Sequence, residues 1–212
     1  MAVKCLVFDC DGVLLDSVPV KTAAFARMAE PWGKEAVDRF VMYHKTHGGV
    51  SRYNKFAWFF KNYLGRDITR LESSLWGSRF EEYALEEVKR CAMIPGARET
   101  LEEWHGKLPM YVCSGAPEIE LVTILEERDL IGFFKGVCGS PPAKEVLLQG
   151  ILREQTSLMP QEVLMIGDSV TDEMAARHAG TLFYGIGPEL KGGNFPWSED
   201  LAPLNDWIRE HA

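Results

Sequence analysis

The chain has 212 residues, of which 46% are hydrophobic, so it is long enough for one good-sized domain or for a domain that carries an insertion. Its formal net charge of −8 argues against nucleic acid as the principal partner, because binding to a phosphate backbone requires a cationic surface. No stretch approaches the roughly 18 apolar residues of a membrane span. The five cysteines are odd in number and lack CxxC spacing, which predicts reduced thiols and a cytoplasmic protein.

The charge is distributed unevenly along the chain. Residues 17–95 carry 13 Lys and Arg against 9 Asp and Glu, whereas the remaining residues carry 10 against 22. One explanation of this basic segment is solvated helix faces with chance clustering. The alternative is a segment that meets an anionic substrate above acidic, metal-binding residues.

The apolar run Cys5–Phe8 predicts the buried central strand of a parallel sheet, and such sheets bind ligands beyond the carboxyl ends of their strands. Asp9 and Asp11 follow at that end. One carboxylate can attack an electrophile while the other moves a proton, provided that a cation suppresses their mutual repulsion. The alternative is an ordinary Asp-Gly turn that closes a strand.

From residue 16 to about residue 91 the pattern is helical, with no strand signal. A first helix covers Asp16–Ala29 and ends in a turn at residues 31–33. Asp67–Arg90 predicts one helix, or two that break near Trp76-Gly77. Between them, an aromatic stripe predicts a helix that ends at Gly65 and packs into the core of this segment, with a cofactor-binding aromatic box as the alternative. The stripe consists of Tyr53, Phe56, Phe60, Tyr63 and Leu64.

After Pro95-Gly96 the pattern alternates between helix and strand, which is typical of a parallel α/β sheet. The predicted strands are Met110–Cys113, Gly136–Cys138, Val163–Ile166 and, as the last one, Thr181–Tyr184. The predicted helices are Arg98–His105, Pro117–Arg128, Lys144–Gln155, Thr171–His178 and a terminal amphipathic helix that contains Leu201, Leu204, Trp207 and Ile208.

Three further polar sites lie at the ends of these strands or in the loops after them. The Ser114 hydroxyl and the Gly115 N–H can hold phosphoryl oxygens, and Lys144 can neutralise them together with the attacking carboxylate. Asp168 and Asp172 suit a hard cation with oxygen ligands. Taken singly, each site has an ordinary explanation, namely a Ser-Gly turn, a surface lysine, and aspartates that favour a helix N-terminus.

Together and in this order, the four sites resemble the motifs of the haloacid dehalogenase (HAD) superfamily of phosphohydrolases, over essentially the whole chain. Asp9-Cys10-Asp11-Gly12-Val13 matches the nucleophile motif, Ser114 the second motif, Lys144 the third, and Gly167-Asp168 with Asp172 the acidic fourth. The presence of Asp11 disfavours the dehalogenases and phosphonate hydrolases of this fold, which resemble the first motif without its second aspartate. The resemblance implies an α/β fold, a Rossmann-like three-layer parallel sheet core of residues 1–16 and 92–212, with an inserted α-helical cap domain of residues 17–91.

The helical segment resembles the small cap of the phosphoglycolate phosphatase and β-phosphoglucomutase branch. His47-Gly48-Gly49-Val50-Ser51-Arg52 is similar to the specificity loop of β-phosphoglucomutases, in which the arginine contacts the distal charged group of the substrate. From the residues themselves, two glycines end one helix, Ser51 caps the next, and Arg52 with the free N–H groups makes an anion site. A plain helix–turn–helix connection is the alternative. Lys21 stands where the mutases usually carry a histidine, and the segment before Lys144 lacks the common Lys-Pro of the third motif.

The resemblance implies a Mg²⁺-dependent phosphomonoesterase for a small sugar phosphate or phosphorylated acid, a monomer or weak homodimer with no nucleic acid or membrane partner. Asp9 would attack phosphorus to give an aspartyl-phosphate, and Asp11 would protonate the leaving alcohol and then activate water. The alternatives are a sugar phosphomutase and a non-catalytic binding protein of the same fold. The expected site residues are Asp9, Asp11, Ser114 and Lys144 in catalysis, Gly115, Lys21, His47, Gly49, Ser51, Arg52 and Lys55 in substrate binding, and Asp9, Asp11, Asp168 and Asp172 around the metal.

Overall fold

A computed structural model describes residues 2–212 and places the apolar runs of the sequence in one parallel sheet. Every neighbouring pair of strands is parallel, and the strand that opens the chain lies in the middle of the sheet. The strands are β1 Cys5–Phe8, β2 Met110–Pro117, β3 Gly136–Ser140, β4 Val163–Gly167, β5 Leu182–Ile186 and β6 Trp197–Ser198. Their order in the sheet is β3-β2-β1-β4-β5-β6.

Helices cover both faces of this sheet. They are α5 Ala97–Trp104, α6 Glu118–Glu127, α7 Lys144–Glu154, α8 Val170–Ala179 and α9 Leu204–His211. Because successive residues of a strand point to opposite faces, Leu6 and Phe8 of β1 pack with α5, α6 and α9, whereas Cys5 and Val7 pack with α7 and α8. This arrangement confirms the predicted Rossmann-like three-layer fold.

Four helices lie between β1 and β2, as the helical pattern predicted. They are α1 Val18–Ala29, α2 Lys34–Thr46, α3 Arg52–Asn62 and α4 Arg70–Arg90. Their apolar faces meet in a cluster of aromatic rings, in which Phe56 and Phe60 of the predicted stripe are fully buried. The stripe therefore belongs to the core of this segment. Tyr53, at the start of the stripe, lies at the edge of the cluster and is partly exposed.

Several elements differ from those expected. The α4 helix runs unbroken through Gly77, where a Cβ atom would lie 2.8 Å from the Tyr53 hydroxyl oxygen, so this glycine makes room for the ring of α3. The β2 strand continues past Cys113 to Pro117. A sixth strand, β6, follows the one predicted to be the last.

The two connections between the sheet and the helical segment lie side by side. The Asp16 N–H donates to the Ala92 carbonyl at 2.9 Å, and the Ile94 N–H donates to the Leu14 carbonyl at 3.1 Å. These hydrogen bonds hold the start and the end of the helical segment at one place. The segment lies over the carboxyl edge of the sheet, which leaves a cavity of about 940 Å³ between the two parts.

Two structural findings bear on the expectations drawn from composition. Within residues 2–212, none of the helices has both the length and the apolar character that a membrane crossing requires. All five cysteines are free in this structure.

Candidate active site

Asp9 stands at the carboxyl end of the central strand. Its N–H continues the sheet by donating to the Ile166 carbonyl of β4 at 2.9 Å, and the residue is 2% exposed. The Asp9 Oδ1 atom accepts a hydrogen bond from the Cys10 N–H at 2.7 Å, and Oδ2 lies 2.5 Å from the Lys144 Nζ. The carboxylate is thus fixed in orientation at the floor of the cavity that it lines.

Lys144 joins two carboxylates. It is the first residue of α7, and its Nζ lies 2.5 Å from Asp9 Oδ2 and 2.5 Å from Asp172 Oδ1. Burial alone would lower the pKa of Lys144, but the charges of Asp172 and Asp9 outweigh it and raise the pKa. Lys144 therefore remains a cation beside Asp9 at every pH at which the protein is expected to act.

Asp172 is held from both sides. Its Oδ2 accepts hydrogen bonds from the N–H of Ser169 at 3.1 Å and from the Ser169 hydroxyl at 2.5 Å, a capping box that begins α8. Its Oδ1 is in contact with Lys144. Because both oxygens are engaged, Asp172 is well placed to position Lys144. Its expected place around the metal, where it would orient a metal-bound water, stays a prediction from the motif.

Asp168 packs against the turn that follows β1. A Cβ atom at Gly12 would lie 2.1 Å from Asp168 Oδ2, and Gly12 has a φ of +77°, so both space and backbone require glycine in the Asp-x-Asp-Gly motif. Asp9, Asp168 and Asp172 each have a carboxylate oxygen within 4.8 Å of the others. Among residues 2–212 no cation forms an ion pair with Asp168. Burial and the charge of Asp9 raise the pKa of Asp168 well above its usual range.

This cluster fits a divalent metal ion on the grounds of charge. Three carboxylates share a single ammonium group, which leaves two negative charges unbalanced in a buried place. Burial, with the charges of Asp172 and Asp11, raises the pKa of Asp9 to about 7 despite Lys144. A hard cation with oxygen ligands would offset that excess, and Asp9 and Asp168 are the residues with carboxylate oxygens to offer it.

Asp11 faces away from this cluster, towards α1. Its Oδ1 accepts from the Ser17 hydroxyl at 2.5 Å, and its Oδ2 lies 2.6 Å from the Lys21 Nζ. Burial acts to raise the pKa of Asp11, but the charge and hydrogen bond of Lys21 and the hydrogen bond of Ser17 outweigh it and lower the pKa. Lys21 thereby fixes the second carboxylate of the motif in its ionised form.

Ser114 and Gly115 lie in the second half of β2 and line the same cavity. The Ser114 oxygen accepts a hydrogen bond from the Ala116 N–H at 3.2 Å, which leaves its hydroxyl proton available to a ligand. Gly115 lies directly below the helical segment, and a Cβ atom there would lie 2.1 Å from the Gly49 carbonyl oxygen. Only glycine therefore allows this close approach of the two parts.

The helical segment supplies four of the seven predicted substrate-binding residues to the wall of the cavity, namely Lys21, Gly49, Arg52 and Lys55. The Gly48 carbonyl accepts a hydrogen bond from the Thr171 hydroxyl of α8 at 2.6 Å, which ties the loop before α3 to the sheet side. Gly49, with a φ of +72°, allows the turn that brings this loop down.

Two of the predicted substrate-binding residues lie outside the cavity. The His47 ring is exposed and stacks on the Tyr43 ring with centroids 3.9 Å apart, and its Nδ1 contacts the Tyr43 carbonyl at 2.9 Å. The Ser51 hydroxyl accepts from the Asn54 N–H at 3.4 Å, so Ser51 is the N-cap of α3 that the sequence predicted. Both residues shape the helix–loop–helix connection and do not reach the reaction centre.

Three residues near the site were not identified from the sequence. Glu120 of α6 forms an ion pair with Arg52 at 2.5 Å, and His44 of α2 contacts the Nζ of Lys55 at 3.0 Å. Ser17 is the hydroxyl partner of Asp11. An acidic residue in the first turn of a helix is expected from the helix dipole alone, so no local signal distinguishes Glu120 from a capping residue.

Comparisons with known proteins agree with this geometry. Residues 3–180 match the profile of the haloacid dehalogenase-like hydrolases. The chain is 27% identical over 193 residues to the phosphoglycolate phosphatase of Vibrio parahaemolyticus, which covers 87% of this chain and 83% of that protein. It is also 27% identical over 203 residues to the phosphorylated carbohydrates phosphatase of Thermotoga maritima, covering 90% and 88%. The β-phosphoglucomutase of Clostridium difficile shares the fold, with a TM-score of 0.81 at 16% identity over 99% and 96% of the two chains.

Proposed function

Because this chain belongs to the haloacid dehalogenase-like hydrolases and is a phosphatase of that family, we propose that it hydrolyses a small phosphate ester, with Mg²⁺, through an aspartyl-phosphate on Asp9. One observation carries the proposal: a buried Asp9 lies against Lys144 at the floor of a cavity that Asp11, Ser114 and Asp168 also line. This arrangement provides a nucleophile, a second acid and donors for phosphoryl oxygens around one point.

In the first step, the Asp9 Oδ attacks phosphorus in line with the departing oxygen. The Ser114 hydroxyl, the Gly115 N–H and the Lys144 ammonium stabilise the equatorial phosphoryl oxygens, since positioning and charge compensation supply most of the rate in phosphoryl transfer. Bound Mg²⁺, held by Asp9 and Asp168 and, as expected from the motif, by the Asp11 carbonyl, would screen the repulsion between the phosphate and the carboxylate.

Asp11 moves the proton in both steps. A phosphate dianion beside Asp11 disfavours its ionised form, so that the carboxyl group can carry a proton to the leaving alcohol. Once the alcohol has gone, the hydrogen bonds of Lys21 and Ser17 again favour the carboxylate, which is the form that activates water against the aspartyl-phosphate.

We propose that residues 17–91 act as a cap domain over a core of residues 1–16 and 92–212. The paired connections at residues 14–16 and 92–94 support a hinge there, and contacts such as Thr171 with Gly48 close the cavity from above. A closed cap admits a small molecule and excludes a phosphoprotein. A cytoplasmic location and a monomeric or weakly dimeric state remain predictions from the sequence.

The experiment that tests this function is phosphate release from a panel of esters. The panel contains sugar phosphates, phosphoglycolate, nucleotides and p-nitrophenyl phosphate, and each is assayed with Mg²⁺ and with a chelator. We expect metal-dependent release with a preference for a few small esters. Isomerisation of a sugar phosphate without release of free phosphate would instead identify a mutase, and no reaction with any compound would favour a binding protein.

Metal removal is expected to abolish turnover and also to destabilise the fold. Because the unbalanced negative charge lies in the cluster of Asp9, Asp168 and Asp172, addition of Mg²⁺ to chelated protein should raise the melting temperature as well as restore activity. The measurement is thermal unfolding with Mg²⁺ and with EDTA. A variant with Asp168→Asn should lose most of the stabilisation by Mg²⁺, and an unchanged response in that variant would contradict the assigned ligand.

A higher Mg²⁺ concentration is expected to be needed for activity as the pH falls. Burial raises the pKa of Asp9 to about 7, and burial with Asp9 raises that of Asp168. Since a protonated carboxyl group is not a metal ligand, protons compete with Mg²⁺ below that pH. The Mg²⁺ concentration for half-maximal activity should decrease between about pH 6 and pH 8. A constant value over this range would show that neither carboxylate titrates against the metal.

A further inference from the structure

The helical segment presents three buried cations to the cavity, and these differ in their partners. The Lys21 Nζ lies 2.6 Å from Asp11, and the Arg52 guanidinium lies 2.5 Å from Glu120, so each of these charges is balanced within the protein. The Lys55 Nζ lies 3.0 Å from His44 Nδ1 and 3.5 Å from the His44 carbonyl oxygen. Among residues 2–212, no carboxylate lies within ion-pair distance of Lys55. Lys55 is thus a buried ammonium group with only uncharged neighbours in direct contact.

The Lys55 ammonium group is held in place by a chain of hydrogen bonds. Burial, then the charge of Lys55, lowers the pKa of His44 to about 3, so the ring is neutral and its Nδ1 accepts from Lys55. The proton of the neutral ring is then on Nε2, which donates to the Thr22 hydroxyl at 3.1 Å. Thr22 in turn donates to the Val18 carbonyl at 2.7 Å. The chain anchors Lys55 to α1, which fixes the ammonium group before any ligand arrives.

Burial of the unbalanced charge of Lys55 is unfavourable in free energy, and packing alone does not require a charged side chain at this position. Lys55 is 3% exposed, and a side chain such as methionine would fill the same space without desolvating a charge. Burial, then repulsion from Lys21, lowers the pKa of Lys55 to about 7, although Asp11 and Asp168 act in the opposite direction. A ligand anion beside Lys55 would supply the missing negative charge.

We propose, on the basis of the function above, that Lys55 binds a second anionic group on the leaving alcohol of the substrate, and that Arg52 does not. Because a single uncompensated ammonium group is available, the group it fits is a monoanion, of which a carboxylate is the simplest. The substrate class is therefore a phosphate ester of a hydroxy acid. This differs from the expectation that Arg52 contacts the distal charged group.

The ion pair of Arg52 has a different role. Arg52 begins α3 of the helical segment and Glu120 lies in α6 on the sheet side, and both side chains are more than nine-tenths buried. The pair therefore joins the two parts across the cavity. Arg52 donates one hydrogen bond, from Nη2 to Glu120 Oε1, and Glu120 already balances its charge. An anion at the remaining N–H groups of Arg52 would therefore meet a neutralised cation and would lie near a buried carboxylate that repels it.

The test compares two esters that differ in the tail alone. Phosphoglycolate carries a carboxylate where hydroxyethyl phosphate carries a hydroxyl group. We expect the wild-type enzyme to prefer phosphoglycolate, and Lys55→Met to lower the ratio of the two kcat/KM values by about 10- to 100-fold, which is the loss of one charge-assisted hydrogen bond. Lys55→Gln should give the same direction. Lys61→Met, an exposed lysine of the same helix that lies outside the cavity, is the matched control and should leave the ratio as in the wild type.

The role of Arg52 is tested in a variant that does not leave the Glu120 carboxylate buried without a partner. The double variant Arg52→Gln with Glu120→Gln removes both charges of the pair and keeps the net charge of the cavity, so its ratio should stay within about 3-fold of wild type. A fall in the ratio like that expected for Lys55→Met would assign the anion to Arg52 and overturn the proposal. So would a wild-type preference for hydroxyethyl phosphate.

Thermal unfolding distinguishes a ligand-binding role of Lys55 from a structural role. Removal of an unbalanced buried cation should leave the melting temperature of Lys55→Met equal to or above that of the wild type, whereas a structural lysine would give a lower one. If both Lys55 variants are folded and the ratio is unchanged, the proposal is wrong while the phosphatase function stands. If the wild-type enzyme releases phosphate from neither ester nor from p-nitrophenyl phosphate, it is the phosphatase function itself that fails.

Discussion

Asp9→Asn is expected to lower kcat for every phosphate ester by about 10⁴-fold or more, because the amide cannot form the acyl phosphate. The fold should be retained. Asp9 shares a buried place with Asp168 and Asp172 around one ammonium group, so the loss of one negative charge relieves repulsion and the melting temperature without metal should be unchanged or higher. The measurement is phosphate release with p-nitrophenyl phosphate, together with thermal unfolding.

Two further variants sharpen this experiment. Asp9→Ala removes the chance that slow deamidation restores aspartate, and it should be as inactive as Asp9→Asn. Asp16→Asn changes an exposed aspartate of the same loop region and should keep wild-type turnover. Turnover by either Asp9 variant at a tenth of the wild-type rate or more would exclude Asp9 as the nucleophile.

Lys144→Met is expected to have the second-largest effect, on both activity and stability. The side chain is 1% exposed and in contact with two carboxylates. Its loss leaves these charges buried without a partner, which should lower the free energy of unfolding by about 3–5 kcal/mol near neutral pH. The loss of one phosphoryl-stabilising cation should also lower kcat by about 10²- to 10³-fold. Urea unfolding and steady-state kinetics measure the two effects.

The pH dependence of the Lys144→Met variant distinguishes its electrostatic role from packing. Lys144 lowers the pKa of Asp9 against the larger effect of burial, so its removal should raise that pKa further. Because the ionised carboxylate is the nucleophile, the acid limb of the pH–rate profile should move to higher pH. The stability penalty should shrink as the pH falls and the carboxylates become neutral. Lys135→Met, a half-exposed lysine, is the control. A loss of stability independent of pH would contradict the electrostatic explanation.

The parts of the site that sequence patterns predict are those that strand topology determines. In a parallel sheet the carboxyl ends of all strands meet at one edge, so Asp9, Ser114 and Asp168, each at or just beyond the end of an apolar strand, are brought together wherever the helices lie. Lys144 follows from the same logic as the first residue of the helix after β3. Their order along the chain was enough to place Asp9, Ser114 and Asp168 around one cavity, with Lys144 in contact with Asp9.

The parts that the patterns do not predict depend on contacts between distant residues. Arg52 has the spacing of an anion site, but Glu120, which is 68 residues away, already balances its charge. His47 lies in the same loop and points outward because its ring stacks on Tyr43 of the preceding turn. Lys55 differs from the other lysines of the segment in being buried against the neutral ring of His44 with no carboxylate beside it. Pairing of this kind depends on how the helices pack, and it produces no periodic pattern in the sequence.

The helical segment shows the same limit for secondary structure. Its aromatic periodicity gave the α3 helix and its buried face, but Gly77 was a possible helix break and proved to be a contact surface for Tyr53. A glycine costs about 1 kcal/mol in a helix interior, and tertiary packing offsets that amount easily. Within residues 2–212, the two-residue strand β6 pairs only with β5, and it has too few residues for an alternating pattern.

The central claim is that the reaction proceeds through a phosphoryl group on Asp9, and acid quenching during turnover tests it most directly. Wild-type enzyme is mixed with Mg²⁺ and p-nitrophenyl phosphate, quenched with acid within the first turnovers, digested and analysed by mass spectrometry. We predict that the peptide carrying Asp9 gains the mass of one phosphoryl group, on Asp9 itself, and that the group is lost when the substrate is exhausted. Active enzyme with an unmodified Asp9 peptide throughout, or with the phosphoryl group on another side chain, would contradict the account.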